Sequence, residues 1–350
     1  MRAAVLYGVD DLRVEDIPEP ELREGYVMVE VAFNGICGSD LGLIHAYGIS
    51  DQPHPLTGAC GPQVLGHEFS GIICEIGAGV VDVAVGDRVV VAPNYCCGQC
   101  ARCRSGLEHL CVMTAFHGIN AHGGGLSERT AVPASAVHVL PDSVTLRQGA
   151  VIEPLSVALH AVELSGAAAG QFALVLGAGP IGIATALNLR AGGVDRILLS
   201  EPSPVRQAVA TKMGFDVIDP GIDDLAAAVA QRTDGNGADA VFECAGVAAT
   251  VESALASVRA RGAVVLVATY KEPLQFNPYA LMLTEARVMS SLSCSRKEFE
   301  SVIDRMASGA YPLDHWVECV PLADIVVEGV EAASAGRRMK VLVEVATGGL

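Results

Sequence analysis

The length of 350 residues suggests two domains, each large enough to bury its own core, and the composition (51% hydrophobic, 5% aromatic) is that of a soluble α/β protein. A formal net charge of −17 argues against nucleic acid and anionic membrane as partners, because both require basic surface. Eleven cysteines, an odd number with four close together, fit a reducing cytoplasmic setting better than a secreted disulfide scaffold.

In chain order, Met1-Arg2-Ala3-Ala4-Val5-Leu6-Tyr7 leads into an early strand and lacks a signal peptide's apolar run and cleavage site. Val27-Met28-Val29-Glu30-Val31 and Gly86-Asp87-Arg88-Val89-Val90-Val91 are β-branched runs bounded by Gly, Pro and Asp, and they predict strands. Gly77-Ala78-Gly79 and Gly123-Gly124-Gly125 mark turns. Within this β-rich part lies Cys97-x2-Cys100-x2-Cys103-x7-Cys111. Thiols so close do not pair readily as disulfides, whereas four soft sulfur donors filling a tetrahedron describe a closed structural zinc site. Cys96 falls outside the x2, x2 rhythm and is left out of the set. The Cys97–Cys111 segment is predicted to be a loop lobe held together by its metal.

From about residue 155 the rhythm changes to alternating strand and helix. Phe172–Leu176 is a continuous apolar run, as a strand buried on both faces should be. Arg196–Ser200, Ala240–Glu243 and Ala263–Ala268 are further buried-strand candidates, and this spacing builds βαβ units on a parallel sheet. The stretch from Leu164 to Leu189 has no charged residue and is long enough to suggest a membrane span. Its glycines and Pro180 break such a helix, so strand, tight turn and buried helix are expected instead. Beyond about residue 294 a helix is predicted over Arg296–Ser308 and a final strand over Met339–Val345.

Gly177-Ala178-Gly179-Pro180-Ile181-Gly182 follows a predicted strand and opens a predicted helix. In that context the first glycine makes the tight turn, the second admits a pyrophosphate to the backbone, and the third packs helix on strand. The helix N-terminus then offers free N–H groups and a positive dipole end to the phosphates. Glu201 ends the next strand, where its carboxylate can accept hydrogen bonds from ribose hydroxyls and repel the extra phosphate of NADP. NAD is therefore the expected cofactor, with Arg206 near enough to complicate the preference.

Cys37-Gly38-Ser39-Asp40 and Gly66-His67-Glu68 lie outside the four-cysteine lobe and supply a Cys-plus-His pair upstream of the dinucleotide fold. A catalytic zinc keeps three protein ligands and one open position. Glu68 and Glu153, the latter in Ile152-Glu153-Pro154-Leu155, are both candidates for the third ligand. One of them ligates while the other hydrogen-bonds the bound water, or the two exchange during turnover.

This ordered set, from Cys37-Gly38-Ser39-Asp40 through Gly177–Gly182, resembles the zinc-dependent medium-chain alcohol dehydrogenases over nearly the whole chain. Glu153, where the cysteine-rich branch carries its second cysteine ligand, resembles the polyol branch. The loops His54-Pro55-Leu56-Thr57-Gly58, Phe116-His117-Gly118 and Gly123-Gly124-Gly125 are most similar to those of (R,R)-2,3-butanediol dehydrogenases. The resemblance implies a GroES-like β-rich catalytic domain (residues 1–154 and 294–350) and a Rossmann, doubly wound cofactor domain (residues 155–293). It also implies two zinc ions per chain, NAD, and a small alcohol or vicinal diol as substrate in the cleft between the domains, with a homodimer or homotetramer as the assembly. Zinc would act as a Lewis acid on a secondary alcohol, Ser39 would take its proton, and hydride would pass to the nicotinamide. The family's outer relay histidine is replaced by Gly42, leaving His45 or water as the outer carrier. Two competing readings are a sorbitol- or threonine-type dehydrogenase on the same scaffold, and a non-enzymatic NAD-binding protein. The latter would be expected to lack the complete set of Cys37, His67 and a carboxylate.

Overall fold

Alternating apolar residues in Tyr26–Gly35 and Glu68–Ile76 build the central antiparallel pair of one sheet, with Val27, Val29 and Val31 wholly buried. The computed structural model describes residues 1–275 and 277–346, which divide into two units. The first comprises Met1–Glu153, Ser295–Ser308 and the chain from Val317 onward. Its main sheet has seven strands, and a three-stranded sheet forms from the amino-terminal hairpin and Gln63–Val64. The strand Lys340–Glu344 enters the main sheet antiparallel to Tyr26–Gly35, with Leu342 opposite Gly35. That register carries a residue from late in the chain to the place where Cys37 and Glu68 begin their elements. The core of this unit runs through Leu65, Phe69, Ile73, Val89, Val341 and Val343.

The second unit comprises Pro154–Cys294 and Gly309–Trp316. It holds a six-stranded, all-parallel sheet in which the strand order runs third, second, first, fourth, fifth, sixth. This is the doubly wound order, whose switch point lies beside the first strand, Phe172–Leu176. That strand is buried at every position, which accounts for its unbroken apolar run. The helix after it, Pro180–Ala191, starts with proline at a position where the missing N–H costs nothing.

The fold class is the expected one, and the strands Phe172–Leu176 and Arg196–Ser200 have the expected bounds. The segment Gly309–Trp316 packs with the parallel-sheet unit instead of the β-rich one, because the Tyr311 hydroxyl donates to Asn188 Oδ1 (2.6 Å) inside that unit. The strand expected over Ala263–Ala268 begins earlier, at Val258, and ends at Leu266. No helix among the described residues is long and apolar enough to cross a membrane.

Candidate active site

Cys37 stands at the N-terminus of the short helix Gly38–Gly42, where its backbone N–H donates to Asp40 Oδ2 (2.9 Å). That bond turns the Asp40 carboxylate inward, and its other oxygen lies 3.3 Å from His67 Nδ1 without being aligned as a hydrogen bond. Asp40 and His67 are both buried. The opposite ring nitrogen, His67 Nε2, lies 3.2 Å from Ser39 Oγ. Glu68 follows directly at the start of its strand, and the donor atoms of Cys37, His67 and Glu68 lie within 4.8 Å of one another.

Glu68 is 1% exposed, and its Oε2 is bound by the Nζ of Lys340, which is equally buried. Lys340 Nζ also donates to the Ile36 carbonyl (2.9 Å). Gly35 provides the room: a Cβ there would overlap Glu68 Oε2 and come within 3.0 Å of Lys340 Nζ. Burial opposes the charge of Lys340, but Glu68 and Cys37 outweigh it and raise its pKa. The same balance acts on His67, where burial opposes protonation while Asp40 and Cys37 hold the pKa well above the ordinary range.

Glu153 lies in the first turn of the helix Ile152–Ser165, outside the tight trio of donors, and it feels the charges of His67, Glu68, Lys340 and Asp40. Burial pushes its carboxyl up to about 7. Three buried carboxyl groups and a thiol thus surround one histidine and one lysine. Buried polar donors that converge in this way are stable when paired or coordinated, and the convergence fits a divalent cation. A thiolate, an imidazole and a carboxylate are also the donor types that zinc takes.

Cys97, Cys100, Cys103 and Cys111 form a second cluster, with donor atoms again within 4.8 Å of one another, and Cys96 stands exposed outside it. The Cys97–Cys111 and Cys100–Cys103 sulfurs are 3.5 Å apart, and Cys97–Cys103 are 4.0 Å apart. Four thiolates at about 2.3 Å from a tetrahedral zinc lie about 3.8 Å from one another, so the spacing fits. Backbone N–H groups already point at the sulfurs: Cys97 N donates to Cys111 Sγ (3.3 Å), Cys100 N to Cys97 Sγ (3.4 Å), and Cys103 N to Cys100 Sγ (3.5 Å). Donation of this kind, from Cys103 above all, pulls the Cys100 thiol down to about 6 and favours the thiolate a metal needs.

In the other unit, Gly177 turns the chain with φ of 96°, and Gly179 caps the helix that Pro180 and Ile181 begin. A Cβ on Gly182 would overlap the Gly177 carbonyl oxygen, so helix and strand approach only through glycine. Glu201, 3% exposed, accepts from Ala178 N at Oε2 (2.7 Å) and from Ser203 N at Oε1 (2.9 Å). The carboxylate therefore ties the glycine turn to the end of the second strand. Arg206 Nη1 is 4.0 Å from Glu201 Oε2 and would lie 3.7 Å from a Cβ on Gly179, so the guanidinium sits over the turn.

Sequence reasoning singled out Cys37, Ser39, His67, Glu68 and Glu153, and the fold brings all five into one neighbourhood. It passed over Asp40 and Lys340. Asp40 was legible as the residue three after Cys37, the capping-box position, and Lys340 as a lone charge opening an apolar strand. The ring of His45 lies between two partners: its Nδ1 contacts Asp10 Oδ1 (2.7 Å) and its Nε2 contacts Ser334 Oγ (3.1 Å). The absent histidine at position 42 has a steric counterpart, since a Cβ on Gly42 would meet the Tyr47 ring at 3.1 Å.

Comparison with known proteins agrees with this geometry. Residues 23–142 match the alcohol dehydrogenase GroES-like domain, and residues 180–308 match the zinc-binding dehydrogenase family. The (R,R)-butanediol dehydrogenase of Bacillus subtilis (strain 168) is 37% identical over 340 residues, covering 95% of this chain and 96% of that one. The crystal structure of 2R,3R-butanediol dehydrogenase from Bacillus subtilis superposes with a TM-score of 0.92 at 36% identity, covering 99% of each chain. A sorbitol dehydrogenase of Bombyx mori is 30% identical over 98% of each chain. A zinc-binding dehydrogenase from Sinorhizobium meliloti 1021, solved bound to NADP, superposes with a TM-score of 0.88 at 32% identity, covering 98% of this chain and 99% of that one. With a parallel sheet carrying a glycine turn and a β-rich unit gathering zinc-type donors, the chain belongs to the zinc-dependent medium-chain alcohol dehydrogenases.

Proposed function

We propose that this dehydrogenase interconverts a small vicinal diol and its hydroxyketone, with (R,R)-2,3-butanediol and acetoin as the pair, using NAD and two zinc ions per chain. The reading is carried by the convergence of Cys37 with the buried His67 and Glu68, on a chain alike over nearly its whole length to butanediol dehydrogenases. Cys37, His67 and one of the two carboxylates, Glu68 or Glu153, hold the catalytic zinc, and Cys97, Cys100, Cys103 and Cys111 hold a structural one. Zinc, when bound, supplies a Lewis acid and NAD supplies the hydride acceptor.

The chain's own residues do the rest. Asp40 sets the orientation of the His67 ring, and Lys340 anchors Glu68. Ser39 Oγ, at the edge of the donor cluster, accepts the proton of the substrate hydroxyl and passes its own to water or to His45. With Glu68 as the ligand, Glu153, whose burial favours the protonated acid, offers a hydrogen bond to the second hydroxyl of a diol that a plain alcohol lacks. Gly177, Gly179 and Gly182 seat the pyrophosphate, and Glu201, fixed by two backbone N–H groups, meets the ribose hydroxyls of NAD and opposes a 2′-phosphate.

The edge strand Arg287–Ser290 of the parallel sheet leaves Val288 exposed, and Met282 and Leu283 stand exposed on the preceding helix. A second copy covering this apolar edge would make the chain a homodimer or the half of a homotetramer. Eleven cysteines, an odd number with four gathered in one cluster, support a reducing, cytoplasmic setting.

The test is a panel of (R,R)-2,3-butanediol, 2-butanol, sorbitol and threonine with NAD and with NADP, followed at the nicotinamide absorbance. The highest kcat/KM is expected for the diol with NAD. Preference for sorbitol or threonine would replace the substrate, and equal efficiency with NADP would remove the role given to Glu201.

A further inference from the structure

The imidazole of His117 is wholly buried and takes no part in the chemistry above, yet both its nitrogens are engaged. Nδ1 lies 3.0 Å from the Tyr95 hydroxyl and Nε2 lies 2.7 Å from Thr130 Oγ1. Tyr95 belongs to the two-residue hairpin, Asn94–Tyr95 paired with Ala115–Phe116, through which the four-cysteine lobe leaves and rejoins the body of the unit. Thr130 belongs to a strand paired with Tyr26–Gly35, opposite Val29. The ring of His117 packs 5.5 Å from that of Phe69, the residue after Glu68. Burial holds the imidazole far below its ordinary range, at about 3, so it stays neutral, donating through one nitrogen and accepting through the other.

The next residue tightens the connection. Gly118 packs so closely on Gly66, the residue before His67, that a Cβ would overlap the Gly66 carbonyl oxygen. Gly118 N donates to Gly123 O (2.9 Å), and Gly125 N donates to that same Gly66 carbonyl (2.7 Å). The backbone leaving the lobe thus wraps the turn from which His67 and Glu68 project, with His117 as its bolt. We infer that His117 is a positioning residue through which the four-cysteine hairpin sets the path of Gly66–Phe69, and hence how tightly the Cys37–His67–Glu68 cluster holds its zinc.

The inference rests on that cluster holding zinc, and one measurement separates the two. Zinc release from the purified, zinc-loaded enzyme is followed with a colorimetric chelator. The native protein should show a fast phase from the three-donor cluster, absent in Cys37→Ser, and a slow phase from the four thiolates. His117→Phe keeps an aromatic ring, somewhat larger, but loses both hydrogen bonds, and it should speed the fast phase about tenfold, the scale of an outer-shell contact. Tyr95→Phe, which removes a single oxygen on the lobe side, should speed it about threefold with the slow phase unchanged, and it serves as the test should His117→Phe not fold. His117→Gln, keeping an amide toward Thr130, should fall between native and His117→Phe. A fast phase unchanged in Tyr95→Phe and His117→Gln would overturn the positioning role. So would both phases accelerating together with a lowered melting temperature, which marks general loosening. Absence of a Cys37-dependent fast phase in the native protein would overturn the zinc assignment of the cluster and the inference with it.

Discussion

The two donor clusters of the β-rich unit are built in opposite ways. The four-cysteine lobe draws its donors from residues 97–111, and neighbouring backbone N–H groups of the same segment point at the sulfurs. The Cys37–His67–Glu68 cluster draws on two separate elements, is steered by Asp40 and Lys340, and reaches its lysine across 304 residues from Ile36. A local cluster can assemble with its metal alone, whereas the distributed one exists only once the sheet has closed around it. With zinc held as proposed, the lobe would serve stability, and the other cluster would be an outcome of tertiary structure that leaves donors to spare for chemistry.

That contrast can be broken or sharpened by experiment. The largest effect is expected from Cys37→Ser, which should lower kcat/KM on the order of ten thousandfold, about 5 kcal/mol, while leaving the melting temperature and NAD binding near native. Cys103→Ser should do the reverse, lowering the melting temperature while molecules that remain folded keep their turnover. If the two variants gave the same pattern, the division of labour would be wrong. Next comes Lys340→Met, which strands the Glu68 carboxylate without its buried partner and should cost about 4 kcal/mol in a denaturant titration.

A smaller effect is tied to pH. The Glu153 carboxyl, raised to about 7 by burial, binds its proton more tightly in the folded than in the unfolded chain. In the metal-free protein its contribution is complete below about 4.5 and is lost as pH rises through 7, roughly 3 kcal/mol in all. Glu153→Gln should flatten that slope in urea midpoints measured from pH 4.5 to 8, and an unchanged slope would assign it elsewhere. Smallest is Asp40→Asn, which should weaken zinc at the His67 cluster about thirtyfold, near 2 kcal/mol, without touching the lobe. A titration against a competing chelator reads both sites in one sample.

What could be read in the sequence follows the same division. The lobe was legible because its information is a spacing within one short segment, and the glycine turn because strand, glycines and helix follow one another directly. Phe172–Leu176 stood out because burial on both faces leaves no polar interruption. Val258–Leu266 was seen only in its second half, since Arg259, Ala260 and Arg261 are partly or fully exposed at its start and break the apolar run. Cys37, Ser39, His67, Glu68 and Glu153 were found as motifs, but nothing local said that they meet. Lys340 and Tyr311 were not found at all, because their partners Glu68 and Asn188 lie 272 and 123 residues away. Pairings of that reach leave no periodicity behind.

The entry of Lys340–Glu344 into the sheet beside Gly35 also has a meaning for synthesis on the ribosome. With zinc held as proposed, the lobe could collect its metal as soon as residue 111 has emerged, whereas the Glu68 carboxylate waits for a lysine made more than two hundred residues later. Throughout that interval Glu68 lacks its counter-charge and the sheet lacks one of its inner strands. Truncation before residue 340 should therefore yield chains that hold the lobe zinc and nothing at Cys37. Ribosome-bound fragments of increasing length, assayed for zinc, would show metal arriving in two steps separated by most of the time needed to make the protein.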